Sequence, residues 1–259
     1  MINITKLHVQ YDKHVALQDV SFHIAEEKIT TIIGPNGCGK STLLKAMSKN
    51  LKYQKGRIEI GGKNLSHYSP KKLAKSLAIL PQNPKVPADF TVHELVSFGR
   101  YPFISFGKRM KQKDYDMMAW ALDKTDMTTM KGRMVSTLSG GERQRAWIAM
   151  ALAQEPRILL LDEPTTYLDI AHQFDVLELI KSIQEKTGIT IVMVLHDINQ
   201  AARYSHDIVV MKKGAIVKQG SPKDIINEDT MEGVFRLKGN FIKGSRYPHF
   251  IPLESKRQA

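Results

Sequence analysis

The chain has 259 residues and a net charge of +12, from 38 Lys and Arg against 26 Asp and Glu. Its 42% hydrophobic and 25% charged residues match a globular composition with enough apolar mass for a core, which argues against long disordered stretches. The purest apolar run, Ile191–Leu195, has five residues, where a bilayer span needs about 20, so no transmembrane helix is expected. Met1–Lys6 alternates like a strand and lacks the apolar core and small-residue cleavage site of a signal peptide. The protein is therefore expected to stay in the cytosol. A single cysteine, Cys38, excludes an internal disulfide and any Cys-based zinc site.

Residues 1–33 read as strand-rich, with Leu7, Val9 and Tyr11 on one parity, Val20, Phe22 and Ile24 on another, and a β-branched run at Ile29–Ile33. That run ends at Gly34, and the segment after Ser41 has helical character. From Thr42 to Lys75 nine cations face one anion, Glu59, so this stretch carries +8. It reads as a solvated face near a membrane or a partner. Only Tyr53 and Tyr68 interrupt it, too few aromatics for a nucleic-acid stacking platform. Composition changes between Pro81 and about Val135, with prolines at 81, 84, 87 and 102 and a helical segment around Tyr115–Leu122 whose stripe is read as Tyr115, Met118, Ala119 and Leu122. A helix over Arg143–Gln154, a buried strand Ile158–Leu161, a further helix and a buried strand Ile189–Leu195 follow. Alternating strands and helices imply a parallel sheet covered on both faces. Asp207–Met211 and Ala215–Lys218 read as a hairpin, and the tail beyond Gly220 has no clear pattern.

Gly34-Pro35-Asn36-Gly37-Cys38-Gly39-Lys40-Ser41, followed by Thr42, fits the phosphate-binding loop G-x-x-x-x-G-K-[ST] at every fixed position and lies between a strand and a helix, as that motif requires. Backbone N–H groups freed by glycine can wrap a phosphate chain, and the following helix directs its positive end there. Lys40 then reaches the β- and γ-phosphates, and Ser41 is a ligand for Mg²⁺. The strand at Ile158–Leu161 ends in adjacent carboxylates that alternation sends to different places. Asp162 is placed to hold Mg²⁺, and Glu163 to orient or deprotonate the water that attacks the γ-phosphate. Ser139-Gly140-Gly141-Glu142 reads by itself as a helix N-cap with a first-turn anion.

Taken with those two motifs, Leu138–Glu142 resembles the signature of ATP-binding cassette (ABC) ATPases, and the resemblance covers nearly the whole chain. It implies an α/β fold: a RecA-like P-loop NTPase core, an antiparallel β subdomain and an inserted α-helical subdomain. The expected boundaries are residues 1–82 for the β subdomain and the loop-bearing part of the core, 83–137 for the helical subdomain, 138–220 for the signature helix and remaining core, and 221–259 for the tail. ATP and Mg²⁺ are the implied cofactors. In such a family Ser139, Gly140 and Gly141 close over the γ-phosphate bound by a partner subunit, so one set of motifs implies a homodimer or paired cassette. Tyr11 matches the aromatic that stacks on adenine, with core packing as its bland alternative. Gln82 matches the glutamine that senses Mg²⁺ and the attacking water, Asp169 the dimer-contact aspartate, and His196 the histidine that contacts the γ-phosphate. The other histidines show no metal-ligand spacing. Cys38 reads as a small filler inside the loop.

Phe90–Pro102 resembles the stretch after that glutamine in importers of iron siderophores, haem and vitamin B12. The implied function is ATP hydrolysis coupled to uptake of a ferric siderophore or similar chelate. The implied partners are two integral membrane permease subunits and, indirectly, an extracytoplasmic binding protein, with the chain peripheral on the cytoplasmic face of the membrane. In that arrangement Arg100 and its neighbours face the membrane partner and transmit motion. The alternative, a cassette ATPase acting on nucleic acid or ribosomes, suits the +12 charge. It is opposed by the absence of a tandem cassette, a long heptad segment and a Cys-rich insert, so nucleic acid is not expected as a partner.

Overall fold

The computed structural model describes residues 1–84, 89–105, 107–242 and 247–255; Pro87 of the proline-bearing stretch lies outside them. The strands are β1 (Ile2–Tyr11), β2 (His14–Ile24), β3 (Ile29–Ile33), β4 (Lys55–Ile60), β5 (Lys63–Asn64), β6 (Leu77–Leu80), β7 (Ile158–Asp162), β8 (Thr190–Val194), β9 (Asp207–Lys212), β10 (Ala215–Gly220), β11 (Leu237–Ile242) and β12 (His249–Ser255). The principal helices are α1 (Lys40–Met47), α2 (Pro70–Ala74), α3 (Val92–Ser97), α4 (Gln112–Lys124), α5 (Gly140–Ala153), α6 (Ile170–Thr187) and α7 (Ile198–Tyr204). They divide between two compact units, one formed by Met1–His67 with Thr190–Ala259 and the other by Tyr68–Ile189.

In the first unit β3 pairs in parallel with β8 on one side and β9 on the other. Every residue of β3 and β8 is buried, the continuous apolar pattern of strands covered on both faces. The antiparallel strand β10 extends this sheet from β9, as the hairpin reading expects. A separate antiparallel sheet has the order β2-β1-β4-β5. There burial alternates, with Val20, Phe22 and Ile24 of β2 inward, so one face packs and the other meets solvent. The tail beyond Gly220 contains the hairpin β11–β12. Pro252, which cannot donate to a ladder, stands inside its second strand and masks the strand pattern.

In the second unit β6 and β7 are parallel, with Leu77 opposite Ile158. Helix α5 is buried on most sides, with Ala146, Trp147, Ile148, Ala149, Ala151, Leu152 and Ala153 all inside. Helix α4 turns a different face inward from the one the sequence suggests. Met118, Ala121 and Leu122 are buried with Asp114, whereas Tyr115 is 47% exposed and Ala119 is also on the surface. The rotation follows from Asp114, which the buried Arg100 holds in the interior.

Arg100 is 1% exposed. Its Nε donates to Asp114 Oδ1 at 3.0 Å, and its Nη1 donates to Ala153 O at 2.6 Å and Glu155 Oε2 at 2.7 Å. The guanidinium lies 4.1 Å from the centre of the Phe103 ring. This burial corrects the expectation that Arg100 itself faces a membrane partner: its neighbour Tyr101 is the exposed side chain, at 57%. Burial raises the Asp114 pKa, but the Lys111 N–H and the bond and charge of Arg100 outweigh it and hold the group below its ordinary value.

Removing one member of a buried pair strands the other charge, at a cost of about 3–5 kcal/mol. Arg100→Ala is therefore expected to lower the stability of the second unit by that amount. Urea unfolding followed through the two tryptophans, Trp120 and Trp147, both of which belong to this unit, measures it. Because the folded pKa of Asp114 is depressed, the pair contributes fully above the ordinary carboxylate range and is lost as pH falls through the lower folded value. The difference between wild type and variant should shrink on acidification.

Candidate functional site

The phosphate-binding loop is shaped by glycine geometry. Gly34, Gly37 and Gly39 have φ of 154°, 75° and 103°, where a side chain is strained. The flanks of the loop are closed by backbone: a Cβ at Gly34 would come 2.2 Å from Met211 O, and one at Gly39 would come 2.6 Å from Ala16 O. The crown is open, since a Cβ at Gly37 would meet nothing within 4 Å. The loop is tethered by the β9–β10 turn, where Gly214 N donates to Cys38 O at 3.1 Å and Gly214 O accepts from Gln18 N at 2.8 Å.

Gly39 ends the loop at the N-terminus of α1, whose first residue is Lys40. Lys40 is only 5% exposed, and its Nζ donates to Gly34 O at 2.8 Å and Pro35 O at 3.1 Å. The ammonium thus sits within the curve of the loop beside an open crown and a helix N-terminus, a combination that fits a phosphate chain. Ser41 and Thr42 are half-buried on the first turn, Pro35 is half-buried, and Asn36 is exposed. Tyr11, at the end of β1, is 41% exposed and so is not a core aromatic. His196 lies after β8 on the surface, directly before Asp197, whose side chain caps α7 by accepting from Gln200 N at 2.7 Å.

Cys38 is 3% exposed, with its Sγ 4.0 Å from Lys40 Nζ. Burial pushes its thiol pKa up, outweighing the nearby ammonium.

The second unit carries the carboxylates. Asp162 closes β7 with 6% exposure. Glu163 follows in the left-handed region at φ 55°, which turns it away from the strand direction. Gln82 Nε2 donates to Glu163 Oε2, and Thr166 Oγ1 donates to the same oxygen at 3.0 Å. The structure therefore brings Gln82 and Glu163 together, although 81 residues separate them in sequence. Thr166 is a partner that motif reading missed. Its signal was a hydroxyl three residues beyond the carboxylate in a short turn.

The signature stretch is a capping box. Ser139 Oγ accepts from Glu142 N at 3.3 Å, and Glu142 Oε2 accepts from Ser139 N at 2.8 Å. That backbone donor is the main reason Glu142 is held below its ordinary pKa. Ser139 and Gly140 are exposed while Gly141 is buried, and a Cβ on Gly141 would come 2.6 Å from the His172 ring. Asp169 caps α6, accepting from His172 N at 2.9 Å and pairing with His172 Nδ1 at 2.8 Å. The His172 backbone N–H is the first cause of its lowered pKa. Tyr167 and Ile170, on either side of Leu168-Asp169, are 83% and 73% exposed. Ile170 therefore does not join Leu177, Ile180 and Ile183 in the buried stripe of α6.

A strand, a glycine loop of this geometry with an inward lysine, and a helix define a nucleoside-triphosphate-binding protein of the phosphate-loop class. The family model described as "ABC transporter" matches residues 17–166, and the chain belongs to the ABC transporter family. It is 44% identical to the iron(3+)-hydroxamate import ATP-binding protein FhuC of Bacillus subtilis, over 95% of this chain and 91% of the relative. It is 43% identical to the ferric enterobactin transport ATP-binding protein FepC of Escherichia coli, over 96% and 92%. Among solved structures it is similar to an ABC transporter in an inward-facing conformation, described as of metal-chelate type, with a TM-score of 0.85, 30% identity, and coverage of 98% and 97%. Among the described residues no helix is long and apolar enough to cross a membrane.

The buried, high-pKa thiol of Cys38 is expected to react with a maleimide at neutral pH at least about tenfold slower than an exposed cysteine. One equivalent should label rapidly once the chain is unfolded in urea. Mass spectrometry over a time course reads both rates, and added ATP should slow the folded reaction further.

Proposed function

We propose that this chain is the ATP-hydrolysing subunit of an importer for a ferric siderophore or a similar iron chelate, acting as a pair of cassettes beneath two separate permease subunits at the cytoplasmic face of the membrane. The observation that carries the catalytic part is the fixed carboxylate of Glu163, turned out of β7 by its positive φ and oriented through Oε2 by Gln82 and Thr166. A general base must be held in one direction to take a proton from an attacking water.

In this reading Gly34, Pro35, Asn36, Gly37, Cys38 and Gly39 present backbone donors to the phosphates, and Lys40 exchanges its two loop carbonyls for phosphate oxygens. Ser41 and Thr42 add the first-turn donors of α1. Tyr11, exposed at the end of its strand, stacks on the adenine; stacking reads a ring face and not base edges, so selectivity between purines is weak. Ser41, Asp162 and Gln82 are the residues that would hold Mg²⁺ through oxygen, a donor type suited to a hard divalent cation. The ion supplies charge neutralisation of the phosphate oxygens. His196 contributes a polar contact to the γ-phosphate. Ser139, Gly140 and Gly141 close on the nucleotide held by the partner cassette, and Asp169 lies at that dimer contact. The exposed signature residues support pairing, as do Tyr167 and Ile170, apolar surface on the two sides of Leu168-Asp169 that a partner would cover.

Pairing, base and phosphate contacts separate by mutation. Glu163→Gln should retain ATP binding, accumulate a dimer in ATP on gel filtration, and lose roughly 10²–10⁴-fold in turnover, the usual range for a positioned base. Lys40→Ala should instead fail to bind nucleotide. Native turnover in Glu163→Gln would remove Glu163 from the role of base.

A further inference from the structure

The basic stretch ending at Lys75 is not absorbed by nucleotide chemistry, and in the second unit it is joined by cations from elsewhere in the chain. Lys71 Nζ donates to Ile104 O at 3.0 Å, and Lys75 Nζ stands 5.1 Å over the Phe103 ring. Phe103 and Ile104 also line a cavity of about 230 Å³ whose rim carries Lys108, Arg109, Lys111 and Lys113. All six cations are exposed. Two stretches more than 30 residues apart thus converge on one short aromatic turn.

The patch is not neutralised from within. Asp114, which lines the cavity, and Glu155 are both bound by the buried Arg100, which leaves one negative charge among those three groups against the six cations. Of the six cations only Lys113 forms an ion pair among the described residues, with Glu155 at 3.7 Å. Tyr101, exposed at 57%, adds an amphipathic ring at the same turn.

We propose that this face binds the headgroups of an anionic phospholipid surface. Exposed cations around a cavity, five of the six without an ion pair among the described residues, suit a plane of phosphates, which demands charge but no fixed donor geometry. An exposed tyrosine suits the headgroup level. Base stacking is poorly served, because one face of Phe103 is already taken by the Arg100 guanidinium. The inference goes beyond the proposed ATPase role and does not depend on it, since it concerns the isolated chain and a bilayer.

The test is flotation of the purified full chain with vesicles of phosphatidylcholine alone or mixed with phosphatidylglycerol. Binding is expected only to the anionic vesicles. It should be abolished when salt is raised from about 0.1 to 1 M, which shortens the screening length from about 10 to 3 Å. Each patch cation contributes roughly fivefold to binding an anionic surface. Replacing Lys108, Arg109, Lys111 and Lys113 together by Gln should therefore weaken binding at least about a hundredfold. Lys71→Gln with Lys75→Gln, which leaves the cavity rim intact, should weaken it roughly 25-fold. Replacing Lys52, Lys55, Lys63 and Lys218 of the first unit by Gln removes the same charge and should change binding only a few-fold. Equal losses from the two quadruple variants would overturn the proposal by reducing it to net charge. Binding to neutral vesicles, or binding of a mixed-sequence RNA without binding of anionic vesicles, would overturn it as well.

Discussion

A buried ammonium must be solvated by the protein, because water does not reach it. Lys40, at 5% exposure, meets this demand with the carbonyls of Gly34 and Pro35, and much of the first unit serves to aim those carbonyls inward. The loop that carries those carbonyls passes through positive φ at Gly34 and Gly39, where the neighbouring Met211 O and Ala16 O also leave no room for a Cβ. The β9–β10 turn then pins the loop through Gly214. The result is a site that is charged and preorganised before any phosphate arrives, with the lysine already desolvated. Phosphate oxygens can replace the two carbonyls without a further cost of burying the charge.

A second buried cation organises the other unit. Helix α5 has the Ser139–Glu142 capping box at one end and the Arg100 guanidinium on Ala153 O at the other. An anion near the N-terminus and a cation at the C-terminus both complement the helix dipole. Because Arg100 also binds Asp114 at the start of α4 and packs on Phe103, the signature helix, α4 and the turn at Phe98–Phe103 meet at one guanidinium. That turn, which displays Tyr101 on the surface, is thereby tied to the C-terminal end of α5. Arg100, expected from its position in sequence to face a partner, instead ties the turn to α4 and α5 from inside the unit.

What the sequence reveals depends on how local the physics is. The phosphate loop, the buried strands β3, β7 and β8, and the cap at Ser139 are legible because a glycine spacing, a β-branched run or an N-cap acts over a few residues. Asp162, Glu163 and Lys40 could be named from their positions relative to those elements. The partners of Glu163 divide on the same basis: Gln82 came from the family resemblance, while Thr166 required the turn after Pro164 to be seen folded. The face of α4 was misread because an apolar stripe treats Asp114 as polar and therefore outward, whereas a distant arginine draws it in. The hairpin β11–β12 was illegible because its strands are mostly exposed and one contains proline. The charge run up to Lys75 was visible, but its convergence with Lys108–Lys113 exists only in three dimensions.

The two signature glycines, adjacent in sequence, answer to different neighbours. At Gly141 any side chain would drive into the His172 ring, and His172 is tied to the carboxylate of Asp169. At Gly140 the nearest obstacle is the flexible end of Leu168, at 3.0 Å. Interdigitation with α6 therefore fixes the identity of the second glycine independently of any ligand, and a methyl group there would dislodge the Asp169–His172 pair before it met a nucleotide. Gly140, exposed beside Ser139, meets only that movable side chain, so packing against α6 constrains the second glycine of the pair and not the first.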